Sequence, residues 1–109
     1  MRTGILIDYE FCTGCHSCEV ACQVEHDLGP EEYGIQIQSV GPFKYGDGKW
    51  QWAFVPVPTD ICDLCAARQA KGKQPTCVQH CQAGVMKHGA VAELSKQLAD
   101  KPKQVLYAL

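Results

Sequence analysis

Two runs of cysteine dominate the sequence, and their spacing suits metal–sulfur chemistry. The first, Cys12, Cys15, Cys18 and Cys22, reads C-x2-C-x2-C-x3-C. The second, Cys62, Cys65, Cys77 and Cys81, reads C-x2-C-x11-C-x3-C. Three cysteines at intervals of three let one loop wrap three corners of a [4Fe–4S] cubane, with each thiolate on a different iron. Cys22 lies one helical turn past Cys18, about 6 Å along the axis, so it points toward a neighbouring site. In two-cluster ferredoxins the fourth cysteine of each run serves the other cluster. That logic predicts two [4Fe–4S] clusters. Cys12, Cys15, Cys18 and Cys81 would hold the first, and Cys62, Cys65, Cys77 and Cys22 the second. Crossed ligands would tie the halves together and couple folding to cluster binding.

Two other uses of eight cysteines compete. Four disulfides would suit a small secreted scaffold, but residues 1–8 offer a short apolar run ending at Asp8, without the long apolar region and small-residue cleavage site expected of an export signal. Four-thiolate zinc sites can be built from C-x2-C pairs. The dense first run is not the paired-knuckle pattern, and since thiolates suit either metal, spacing favours clusters. No apolar run approaches a membrane span.

The elements that must position these sulfurs can be read around them. Gly4 to Tyr9 reads as a strand entering the first cysteine loop. Gly14 is free to turn that loop in a left-handed conformation. Ser17 suits the cap of a helix from Cys18 to Asp27, ended by Gly29-Pro30. Ile35 to Gln38 and Trp50 to Val55 alternate as strands, with Gly46-Asp47-Gly48 as their turn and Pro56 and Pro58 at the exit. Residues 31–58 therefore read as a hairpin inserted between the two cysteine runs, not needed to build the electron path. Val85 to His88 suggests a strand. Ala90 to Ala99 suggests a helix with Val91, Leu94 and Leu98 on one face, and Gln104 to Tyr107 a last strand. The expected architecture is α+β: one two-cluster ferredoxin-like domain over 1–109, with pseudo-two-fold halves and a C-terminal helix and strand over 90–109.

Charge is segregated. Residues 1–48 carry two basic and eight acidic side chains, and residues 49–109 eight basic and four acidic. Such polarity can orient docking. The basic residues are dispersed and the pI is about 6.0, which argues against nucleic-acid binding. No P-loop, nucleophile elbow or dinucleotide fingerprint is present. With eight cysteines as ligands no iron is left open for substrate, so the chain alone is expected to be non-catalytic. His16, His26, His80 and His88 are candidate ligands or proton carriers, and His16 and His80, inside the cysteine motifs, are candidates for tuning a cluster potential, against a plainer solvent-side or packing role. Lys71 and Lys73 read as loop residues.

The run from Cys12 to Cys22, Cys-Thr-Gly-Cys-His-Ser-Cys-Glu-Val-Ala-Cys, resembles the first motif of iron–sulfur subunits in the dimethyl sulfoxide reductase family. Cys62-Asp63-Leu64-Cys65, followed by Arg68, Gly72, Pro75 and Cys77 to Cys81, resembles a later one. Larger members carry three or four clusters, whereas this chain has cysteines for two. Gln82 replaces the proline usual after the last cysteine. The resemblance implies an electron-transfer subunit serving a large molybdenum- or tungsten-pterin catalytic subunit, with a further electron carrier as a second partner. Gly41 to Phe43, Lys49 to Trp52 and Cys77 to Ala83 resemble small subunits of complexes acting on aromatic hydroxyl compounds. Trp50 and Trp52, on one face of a strand, are candidate docking anchors, against a core role. The alternatives are a free two-cluster ferredoxin and a zinc-stabilised interaction module. A cytoplasmic location is preferred over export as a folded passenger of a signal-bearing partner.

Overall fold

In the computed structural model, which describes residues 2–109, the chain is a mixture of helices and antiparallel strands. Strand β1 (Thr3–Asp8) lies at the centre of a three-stranded sheet. It has β4 (Met86–Ala90) on one side and β5 (Gln104–Ala108) on the other, both antiparallel. Ile5 pairs with His88 across one edge and with Tyr107 across the other. Ile5, Leu6 and Ile7 are all buried. Alternation along the strand sends Ile5 and Ile7 into the core shared with the cysteines, while Leu6 faces away. Helix α4 (Val91–Gln97) packs on β1 and β4, with Leu94 as its buried anchor.

Helix α1 (Ser17–Glu25) follows the first cysteine loop, and two short helices, α2 (Ala66–Ala70) and α3 (Thr76–His80), carry the second group. Helices α1 and α3 pack together. Their buried residues Cys18, Cys22, Cys77 and Val78 join Ile5, Ile7, Ile35, Val85 and Met86 in the main core. Cys18, Cys22 and Cys77 are thus part of the hydrophobic interior, as befits small apolar side chains.

Strands β2 (Ile35–Gly46) and β3 (Lys49–Pro58) pair antiparallel in a separate two-stranded sheet. Its base is buried: Ile35 joins the core and Pro56 is enclosed. Its far end exposes Phe43, Tyr45, Trp50 and Trp52.

Several local expectations change. Ser17 is not the cap of α1. His16 occupies that place, at φ 65° and without a side-chain cap bond, while Ser17 Oγ lies 3.5 Å from Cys15 Sγ. The helix stops at Glu25, and Asp27 is left-handed at φ 53°. Pro56 does not mark an exit from the hairpin but sits within β3 opposite Ile37, where its missing N–H is tolerated in a two-stranded sheet made only of edges. Helix α4 ends at Gln97, so Leu98 lies in the following turn, 38% exposed, instead of beside Leu94.

Candidate cluster sites

The first cysteine loop turns at Gly14, whose φ is 71°. The ring of Phe54 from β3 covers it so closely that an added Cβ would meet ring carbons at 3.0–3.2 Å. The loop and the start of α1 deliver Cys12, Cys15 and Cys18, and the segment after α3 delivers Cys81. These four line one small cavity, walled by Ile37 and Pro56 from the hairpin base and by Val85 and Met86. Residues 31–58 are therefore not outside the cluster region, because their base forms a wall of it. Glu19 makes the same connection. Its carboxylate is buried, Oε2 accepts a 2.7 Å hydrogen bond from Ile37 N, and Oε1 meets His16 Nδ1.

Cys22, Cys62, Cys65 and Cys77 form a second neighbourhood. Burial pushes the Cys22 thiol up to about 11, and proximity to Cys65 and Cys62 adds to the effect. Burial likewise pushes Cys77 up to about 12, with Cys65, Cys18, Cys62 and Cys22 all near enough to contribute. The coupling of Cys77 to Cys18 sets the two neighbourhoods side by side. Gly34 makes room for Cys22, since a Cβ there would lie 2.5 Å from Cys22 Sγ. The second group enters through left-handed Leu64 and Cys65, at φ 60° and 53°. Asp63 Oδ1 accepts the Cys65 amide at 2.8 Å and fixes that turn.

The electrostatics suit a cationic metal group. Burial raises Cys18 to about 12, and raises Cys12, Cys62 and Cys65 as well. Cys15 differs: it is exposed, and bonding from Ser17 lowers its pKa. Backbone amides oppose the rise at several sulfurs. Those of Gly14, Glu19, Gly34, Leu64 and Thr76 address Cys12, Cys18, Cys22, Cys62 and Cys65 respectively. Closely set thiols that resist ionisation, with backbone amides near them and Leu64 N donating to Cys62 Sγ at 3.5 Å, fit a group whose irons replace the protons.

The histidines fall differently from their expected places. His16 engages Glu19, and His80 Nδ1 donates to the Thr76 carbonyl at 2.9 Å. The imidazole that reaches a sulfur is His26, with Nε2 3.1 Å from Cys65 Sγ. The two residues are 39 apart in sequence, and no local spacing announces the contact.

Residues 3–24 match the family model for a 4Fe-4S binding domain. A probable anaerobic dimethyl sulfoxide reductase subunit, YnfG, of Escherichia coli (strain K12) is 32% identical over 91 residues, covering 76% of this chain and 38% of that protein. The B subunit of anaerobic dimethyl sulfoxide reductase from Haemophilus influenzae is 30% identical over 96 residues, or 80% of this chain and 41% of its own. Over three quarters of its length the chain is thus similar to dimethyl sulfoxide reductase subunits, and it carries a 4Fe-4S binding domain. The B subunit of polysulfide reductase from Wolinella succinogenes is also similar, at 36% identity over 47 residues, covering 43% of this chain and 25% of that one. The matched region spans about two fifths of the length of the dimethyl sulfoxide reductase relatives. Among the described residues, no helix is long and apolar enough to cross a membrane.

Proposed function

We propose that this chain holds two [4Fe–4S] clusters and relays electrons to or from the catalytic subunit of a molybdenum- or tungsten-pterin oxidoreductase, without catalysing a reaction itself. The observation that supports the reading is that Cys81 shares one cavity with Cys12, Cys15 and Cys18, while Cys22 lies close to Cys65 and Cys62. Cys12, Cys15, Cys18 and Cys81 would hold the first cluster, and Cys22, Cys62, Cys65 and Cys77 the second. A cubane supplies reversible one-electron chemistry when bound. The residues around it bring sulfurs, amide N–H groups and a largely dry environment. Residues 1–109 then form one ferredoxin-like domain of pseudo-two-fold halves, with 31–58 as an insertion that walls the first site and extends beyond it.

The far part of the hairpin is the proposed docking surface. Trp50, Trp52 and Phe54 alternate onto one face of β3, and the Trp52 and Phe54 rings stand 5.9 Å apart. Phe54 then rests on Gly14 of the first cysteine loop. A partner seated on the two tryptophans would lie along an aromatic row that ends at the first site, where Cys15 is already exposed. A free ferredoxin has no use for such an exposed row.

Anaerobic isolation of the native protein tests the proposal. It should give about eight irons and eight sulfides per chain. It should also recover a large pterin-metal subunit from the cytoplasmic fraction, whose activity can be assayed on aromatic hydroxyl compounds. Stoichiometric zinc would support the interaction module, and a cluster-loaded chain with no companion would support the free carrier.

A further inference from the structure

Cys22 and His26 leave the same end of α1. The His26 amide closes the helix on the Cys22 carbonyl at 3.1 Å, so one helical turn fixes both residues. Cys22 Sγ joins the second group of sulfurs, and the imidazole reaches Cys65 of that same group, with Nε2 3.1 Å from Sγ. The ring is partly desolvated, its side chain 27% exposed. Asp63 Oδ1 is 3.9 Å from Nε2, too far for a direct bond, and is already taken by the Cys65 amide. The sulfur is thus the near partner of Nε2. In the first group the neighbouring imidazoles are committed elsewhere, His16 to Glu19 and His80 to Thr76.

We propose that His26 donates its Nε2–H to the Cys65 sulfur and thereby raises the reduction potential of the second cluster. The inference rests on the two-cluster reading above. An N–H bond to a ligating thiolate draws electron density from the sulfur, which favours the more negative, reduced state. Because His26 serves only the second group, it is a positioning residue that sets the driving force between the two sites.

The test is a redox titration followed by electron paramagnetic resonance on the full chain and on two variants, His26→Leu and His26→Gln, with iron counted in each. With both clusters retained, His26→Leu should move the second midpoint to more negative potential and leave the first in place. His26→Gln should restore part of the shift, since its amide N–H can also donate. An unmoved second midpoint in His26→Leu, or equal movement of both, overturns the proposal. Should His26→Leu fail to hold its second cluster, wild-type protein labelled with 15N-histidine decides the matter. Pulsed resonance on the reduced second cluster should show a weakly coupled histidine nitrogen that His26→Gln lacks, and absence of that coupling overturns the proposal. About four irons per wild-type chain, or zinc, would instead refute the two-cluster reading, a result the iron count identifies separately.

Discussion

The two cysteine groups are built by different means. The first takes three of its four sulfurs from seven consecutive residues, shaped by one left-handed glycine and completed by Cys81. The second gathers Cys22 from α1, Cys62 and Cys65 from a left-handed turn, and Cys77 from α3. It depends on Gly34 for space and on His26 for a side-chain N–H. One group is local, with its outermost sulfur exposed. The other is assembled by tertiary packing and sits deeper. A local group can be drawn by its own loop, whereas an assembled one inherits every displacement of the elements that supply it.

Removing the metal erases the distinction, and is expected to have the largest effect. Cys18, Cys22 and Cys77 belong to the core, so stripping iron with an anaerobic chelator should collapse the packing of α1 on α3 together with both sites. Loss should quicken as pH falls, because protons compete for sulfurs whose free thiols burial holds at about 11 to 12. Near-ultraviolet circular dichroism followed during chelation checks this. Retained tertiary signal without iron would show that the clusters are not structural.

A pair of glycine substitutions separates the two groups. Gly34→Ala drives a methyl to 2.5 Å from Cys22 Sγ and should lower occupancy of the second site, leaving the first loaded. Gly14→Ala places a methyl at 3.0 Å from the Phe54 ring, at a φ of 71° that disfavours side chains, and should disturb the first site alone. Iron content with spectra that resolve the clusters reads both. Identical damage from the two variants would mean that the sites are a single cooperative unit.

A smaller effect is expected from the hairpin's far end, which touches neither group. Trp50→Ala with Trp52→Ala should leave iron content unchanged, since both rings are more than 60% exposed. It should weaken binding to the large subunit by about 2 kcal/mol or more. Titration calorimetry against the isolated partner measures it, and unchanged affinity would remove the tryptophans from the docking surface.

What is legible in the sequence follows the same division. The first loop, β1, the strand pair over 35–58 and the last strand are readable because spacing, alternation and glycine act locally. Ser17 misleads because its hydroxyl lies against Cys15 Sγ instead of capping the helix. Pro56 misleads because a proline inside a strand reads as an exit until its lone pairing partner, Ile37, is seen. The hairpin's role as a wall, through Ile37, Pro56 and the Glu19 bond to Ile37 N, arises only once the chain is folded. His16 and His80 draw the eye because they sit within the motifs, whereas the contact of His26 with Cys65 is entirely long-range and leaves no local sign.

The crossing of ligands is the central claim, and one paired measurement tests it. Cys22→Ser and Cys81→Ser are prepared anaerobically, and the two clusters are followed by electron paramagnetic resonance. Cys22→Ser should lose or alter the cluster of the second group while that of the first survives, and Cys81→Ser should do the reverse. If each substitution instead damages the cluster of its own run, the crossed assignment is contradicted.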